Sequence, residues 1–172
     1  MKAYPAIPRD FREFEAYVFD KLDGSNLRFE WSKKKGWWKF GTRHRLFDET
    51  DETFGAAKPW FLQTLGDPLA RIATQLRTER FIAYCEYWSP NTLGGLQIGV
   101  PDLEKNLTLI DAEVYRKGLM HPRDFLRYFD GEVPTAECLG IHRWTRGLVE
   151  RVWRGELEGV RVEGAVGKNH DR

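Results

Sequence analysis

YVFDKLDGSNLRFEW, residues 17–31 of a 172-residue chain, is the stretch on which the reading turns. Alternation divides it into two short strands joined by a tight polar turn at Asp23, Gly24, Ser25 and Asn26. Tyr17, Phe19 and Lys21 fall on one face of the first strand, and Val18, Asp20 and Leu22 on the other. Asp-Gly at such a turn is by itself an ordinary hairpin signal, with the lysine facing solvent. An ammonium ending an aromatic strand face is nevertheless expensive to bury unless it is paired. Freed of its proton, the amine is a nucleophile toward carbonyl or phosphoryl centres. Gly24 permits close approach of a phosphate or a second backbone, and Asn26 offers both an amide donor and an acceptor.

Downstream, a basic turn at 32–36 and a third strand at 37–41 lead to Thr42, Arg43, His44 and Arg45. Between 31 and 47 there are six Lys or Arg and no acid, interleaved with Trp37, Trp38 and Phe40, a mixture that suits single-stranded nucleic acid. A solvated hairpin with its aromatics turned to the core is the alternative. Helical spacing over 54–79 breaks at Gly66-Asp67-Pro68, which predicts a second helix capped by Asp67. Strands are predicted at 81–88 and 107–115, separated by a mobile loop at 91–101. Helices are predicted at 121–129 and 143–154, and a last strand at 159–167. Glu86 stands in the otherwise apolar and aromatic strand 81–88, where an unpaired carboxylate costs free energy.

The length suits one domain able to bury a real core, and 41% hydrophobic residues with 14% aromatics exclude a disordered chain. Charged residues balance to a formal +1, so nucleic-acid binding requires a local patch. Cys85 and Cys138 are too few and too far apart for a zinc motif or a disulfide framework, and reduced thiols are expected. His44, His121, His142 and His170 lack metal-ligand spacing. No apolar run approaches a membrane span and no signal-peptide core is visible, so a cytoplasmic protein without membrane partners is expected.

Lys21-x-Asp23-Gly24-x-Asn26 resembles motif I of the covalent nucleotidyltransferases, the ATP-dependent ligases and mRNA capping enzymes, whose lysine takes a nucleoside monophosphate in a phosphoramidate bond. Asn at position 26 is similar to the RNA ligase branch, the phage-type nick-sealing and RNA-editing ligases; DNA ligases and capping enzymes usually carry Arg there. Thr42-Arg43 resembles the short motif that follows, whose Arg contacts the nucleotide or the RNA end. Tyr84-Cys-Glu86-Tyr-Trp88 resembles motif III, with its ribose-contacting acid. Leu109-Ile110-Asp111-Ala112 resembles motif IIIa, but Ile110 stands where many members stack an aromatic ring on adenine. Glu163-Gly-Ala-Val-Gly-Lys168 resembles motif IV, whose carboxylate is implied to hold magnesium. A competing register at Glu158-Gly159-Val160 would put Arg161 at an apolar position. The Lys-x-Lys pair of motif V would lie past Arg172, which leaves Lys168 and Arg172 as cations on a short flexible tail.

The resemblance implies an α+β nucleotidyltransferase (adenylation) domain: two mostly antiparallel sheets with flanking helices and a nucleotide groove between them. It spans most of 1–172 and leaves no room for a separate C-terminal domain. The implied function is ATP-dependent joining of 5′-phosphate and 3′-hydroxyl RNA ends, in a single strand or a nicked duplex, through a lysyl-AMP on Lys21. Asp20, Leu22, Asn26, Arg43, Glu86, Ile110, Glu163 and Lys168 would surround the nucleotide. Glu163 would hold Mg2+ (or Mn2+), and Lys33, Lys34, Lys35 and Arg45 would meet RNA. A DNA ligase, a capping-type enzyme, or a catalytically impaired module binding nucleotide or RNA ends are the alternatives. The oligomeric state is left open.

Overall fold

In the computed structural model, which describes residues 4–7, 11–90, 104–161 and 163–169, the strands on either side of Lys21 do not pair with each other. β1 (Phe14–Asp20) is the central strand of a three-stranded antiparallel sheet. In that sheet it lies between strands Cys138–Trp144 and Ala165–Lys168. β2 (Gly24–Ser32) belongs to a five-stranded antiparallel sheet with β3 (Gly36–Thr42), β4 (Arg80–Trp88), β5 (Asn106–Val114) and β6 (Gly118–Leu119), in the order β3-β2-β4-β5-β6. The expected hairpin is therefore a crossover. Gly24, Ser25 and Asn26 are not a turn but the first rungs of β2, opposite Trp88, Tyr87 and Glu86. Lys21, Leu22 and Asp23 bridge the two sheets.

The alternation itself is correct, because each face of β1 meets a different core. Tyr17 and Phe19 join the main core; Ala16 and Val18 join a smaller one on the other side. In the main core, Leu27, Phe29, Phe81 and Cys85 pack against α1 (Ala57–Phe61) and α2 (Asp67–Gln75). The Phe29 and Phe61 rings stack there with centroids 3.8 Å apart. The helical break expected at 66–68 does not occur. A π-helical turn, Leu62–Gly66, carries α1 directly into α2, Gly66 and Asp67 both have helical angles, and no side chain caps the junction. The widened turn makes room for the Pro68 ring and its missing N–H, so the chain stays helical through the proline. Trp37 Nε1 donates to Gly66 O at 2.9 Å and pins this turn to the sheet.

α3 (Pro122–Phe129) adds Phe125 and Phe129 to the main core. The strand Cys138–Trp144, β7, replaces the start of the helix expected from 143. α4 (Arg146–Trp153) begins only after Thr145, whose hydroxyl accepts from Leu148 N at 3.2 Å. α4 covers the smaller core, with Leu148 beside Ala16 and Val18. The last strand, β8 (Ala165–Lys168), starts later than expected, because Gly159 (φ +86°) and Gly164 (φ +137°) hold angles incompatible with a strand. The loop expected at 91–101, His170 and Arg172 lie outside the described residues. Among the described residues no helix is long and apolar enough to cross a membrane.

Candidate active site

The crossover is held by main-chain bonds to the smaller sheet's side. Asp20 N donates to Glu137 O (2.9 Å) and Lys21 N to Gly164 O (3.0 Å). Gly164 is the neighbour of Glu163, and that carboxylate forms an ion pair with the Lys21 ammonium, the two side chains being 31% and 38% exposed. On the other side Gly24 is obligatory for packing. A Cβ there would stand 2.4 Å from Tyr87 O and 2.7 Å from Trp88 Cβ, so the glycine lets β2 lie against β4.

Asn26 faces Glu86 across the β2–β4 ladder, and Thr108 is next on β5. Burial pushes the Glu86 carboxyl up to about 7; Asn26 and Lys21 oppose that rise, while Glu163 and Asp23 add to it. Lys21, Glu163, Glu86, Asn26 and Asp23 thus form one electrostatic group. Asn26 Nδ2 is buried and completes no hydrogen bond of good geometry. Among the described residues no three His, Cys, Asp or Glu converge into a preformed metal cage.

Asp20 turns away from this group. Its Oδ1 accepts from Arg161 N at 3.1 Å, its Oδ2 lies 3.6 Å from Arg161 Nε, and burial raises its pKa against the pull of Arg161. Leu22 lines a small pocket with Asp20, Lys21, Asp23, Trp88 and Arg161. Arg43 is exposed just after Thr42, the partner of Leu27, so it stands at the level of Asn26 on the edge of the large sheet. Arg45 is engaged by Asp51, whose carboxyl is held down to about 2 chiefly by that hydrogen bond.

Ile110 is the extra residue of a β-bulge in β5, opposite Tyr84 and Cys85, and it packs against the main core. Its carbonyl accepts from Lys168 Nζ at 2.5 Å. Lys168 is not on a flexible tail. It is a buried residue of β8, 3.1 Å from the buried Asp111 carboxylate, with its ammonium over the Phe19 and Phe125 rings at 4.8 and 5.6 Å. Lys33, Lys34 and Lys35 are not brought to this group. They occupy the opposite end of β2, roughly 23 Å along the strand from Asn26 at about 3.3 Å per residue.

Sequence reasoning assigned no role to the polar face continuing inward from Asn26 and Glu86. Arg28, Tyr84 and Asp111 form its next row and are almost wholly buried, with the Tyr4 ring tilted at 50° against Tyr84 (centroids 4.9 Å apart) and its hydroxyl donating to Asp111 (3.0 Å). The signal was available: Asn26, Arg28 and Glu30 alternate with Leu27, Phe29 and Trp31.

No family model and no curated protein sequence matches the chain. Solved structures do. It is similar to a Naegleria gruberi RNA ligase variant in its apo form, with a TM-score of 0.60 and 15% identity over 90% of this chain and 46% of that one. A Naegleria gruberi RNA ligase variant with ATP and Mn gives 0.59 and 16%, again over 90% and 46%. An archaeal ATP-dependent RNA ligase gives 0.60 and 11%, over 98% and 48%. The chain spans about half the length of these proteins. At such identities the likeness is one of fold: the α+β arrangement of two antiparallel sheets on which these ligases are built.

Proposed function

We propose that this chain, which has the nucleotidyltransferase fold of ATP-dependent RNA ligases, joins a 5′-phosphate RNA end to a 3′-hydroxyl through a lysyl-AMP. The observation that carries the reading is the position of Lys21. It stands where the chain passes between sheets, its backbone is anchored, and its ammonium meets Glu163 beside Glu86.

After losing a proton, Lys21 Nζ attacks the α-phosphorus of ATP. A nitrogen–phosphorus bond forms as the bond to the bridging oxygen breaks, and pyrophosphate leaves with the electron pair. A 5′-phosphate oxygen of RNA next takes the adenylate and restores the amine. The 3′-hydroxyl then displaces AMP, closes the phosphodiester and releases its own proton. Positioning and charge stabilisation supply most of the catalysis in such transfers. Glu86 and Asn26 present hydrogen-bonding groups to the nucleotide, and Ile110 offers aliphatic packing to the base. Asp20 and Leu22 flank Lys21 on the crossover, and Lys168 would act as a fixed cation from β8, opposite Tyr17 and held by Asp111. The exposed guanidinium of Arg43 suits bidentate contact with phosphate.

Glu163 fits a divalent cation such as Mg2+ or Mn2+, because a hard, partly exposed carboxylate with phosphate and water oxygens makes a sufficient shell without a protein cage. When bound, such an ion neutralises phosphate charge.

Intact mass measurement after incubation with ATP and Mg2+ tests the reading. One AMP should appear on the peptide containing Lys21, and Lys21→Ala should abolish the adduct while leaving the fold intact. No adduct on the wild type, or an adduct surviving in Lys21→Ala, would sink the mechanism. Preference for GTP as donor would favour a capping-type enzyme.

A further inference from the structure

The end of the large sheet remote from Lys21 is assembled from three turns far apart in sequence. Ser32 of β2 pairs with both Gly36 of β3 and Arg80 of β4, and Tyr115 N donates to Arg80 O at 3.2 Å. Lys33 N donates to Glu79 O at 3.2 Å, which binds the first two turns together. The turns at 33–35, 76–80 and 115–117 carry seven Lys or Arg and one acid, Glu79, whereas the whole chain has a formal net charge of +1. None of these seven cations forms an ion pair among the described residues.

Two exposed rings lie on this rim, each beside two cations. Trp38, 39% exposed, has the Lys35 and Lys39 ammonium groups 4.7 and 4.6 Å from its ring centre. It is the extra residue of a bulge on the edge strand β3, opposite Glu30 and Trp31, which explains why it faces outward while Trp37 is pinned to Gly66. Tyr115, 41% exposed, has the guanidinium groups of Arg80 and Arg116 at 5.3 and 5.2 Å. Three strand spacings separate β3 from β5, roughly 14 Å.

The backbone adds an independent observation. The non-glycine residues with positive φ among those described are Arg77 (φ +52°) and Arg116 (φ +65°), both on this rim. Glycine or asparagine is the ordinary choice at such positions, so cations are retained there against a conformational cost.

We infer that this rim binds a single-stranded RNA segment flanking the end to be joined, its phosphates held by the turn cations and its bases stacked on Trp38 and Tyr115. Cations interleaved with flat rings are the means by which proteins hold single strands without reading sequence. The choice of RNA rests on the ligase reading above; the surface itself lies roughly 23 Å along β2 from Asn26, at the opposite end of the strand from Lys21, so the two can fail separately.

Fluorescence anisotropy with a labelled, unstructured oligoribonucleotide measures the binding, and inorganic polyphosphate serves as an anion without bases. Trp38→Ala and Tyr115→Ala should each weaken RNA binding by roughly 5- to 150-fold and leave polyphosphate binding unchanged. Tyr115→Phe, which keeps the ring, should bind as the wild type does. Arg116→Gln with Lys117→Gln should lower the slope of log affinity against log salt by about 0.7 for each phosphate no longer neutralised. Adenylation of Lys21 should be unaltered in all four. RNA affinity indifferent to loss of the rings would overturn the inference, and so would equal losses for RNA and polyphosphate. If the wild type is adenylated but the rim variants bind RNA normally, only this inference fails. If the rim variants behave as described but no lysyl-AMP forms, only the ligase reading fails.

Discussion

Glu86 shows how one residue's surroundings set its chemistry. Burial raises its carboxyl to about 7, with Glu163 and Asp23 adding to the rise and Asn26 and Lys21 opposing it. A carboxyl that holds its proton more tightly in the folded state stabilises the fold fully below its ordinary value of 4.5, and that contribution is lost as pH rises through about 7. The nucleotide-free protein should therefore lose roughly 1–3 kcal/mol across this window, after allowance for partial solvent contact. Glu86→Gln cannot titrate and should flatten the slope in urea melts run between the two values. Asp20, also raised by burial, contributes with the same sign, so the difference between wild type and variant is the quantity to read. An identical slope in both would place the dependence elsewhere. Glu86 was legible in sequence as a carboxylate in an apolar strand and Asn26 as a motif residue; that the two face each other was not, because pairing is not local.

Between elements, the tie from β8 to β5 is a buried charge pair, Lys168 with Asp111, strengthened by the Ile110 carbonyl and by Tyr4 on the same carboxylate. Removing one partner leaves a buried charge uncompensated and typically costs about 3–5 kcal/mol, far more than the pair's net worth against an apolar replacement. Lys168→Met should therefore destabilise by that amount in urea unfolding, and adding Asp111→Asn should recover part of the loss. Simple additivity of the two changes would show that the groups are not coupled. The sequence carried Lys168 as the last residue of a motif but left it on a free tail. Its burial follows from β8 lying against β1, with Lys168 opposite Tyr17.

For the molecule as a whole, cohesion depends on one core shared by both sheets. Phe19 comes from the small sheet, Phe29 and Phe81 from the large one, Phe61 from α1 and Phe125 from α3, and all belong to the same buried cluster. Deleting a buried Phe side chain costs about 3–5 kcal/mol, a large share of a domain's ~5–15 kcal/mol. Phe29→Ala, which removes the ring stacked on Phe61, should lower the unfolding free energy in urea by that amount, with the midpoint falling in proportion. Because the core is shared, near- and far-UV circular dichroism should report a single coincident transition in the wild type. Two separated transitions would mean that the sheets unfold independently. Lys21→Ala, trimming a partly exposed side chain, should change stability by less than about 1 kcal/mol.

The sequence by itself determined the strands on either side of Lys21 and those at 81–88 and 107–115, and which of their residues share a face, since side-chain direction along a strand has a period of two and is written locally. It placed Tyr17 and Phe19 on the face opposite Val18 correctly, and the motif resemblance named Lys21, Glu86 and Glu163, which the structure brings into one electrostatic group. It could not say which strands pair, because every strand offers the same N–H and C=O edge to any neighbour. For that reason Asp23-Gly24 read as a hairpin when it is a passage between sheets, and β7 was overlooked. Only the tertiary structure decided that Lys168 is sealed against Asp111. Only it decided that the turns at 33–35, 76–80 and 115–117 meet on one rim, a proximity set by the register of β2 on β4 and of β4 on β5 rather than by any distance along the chain.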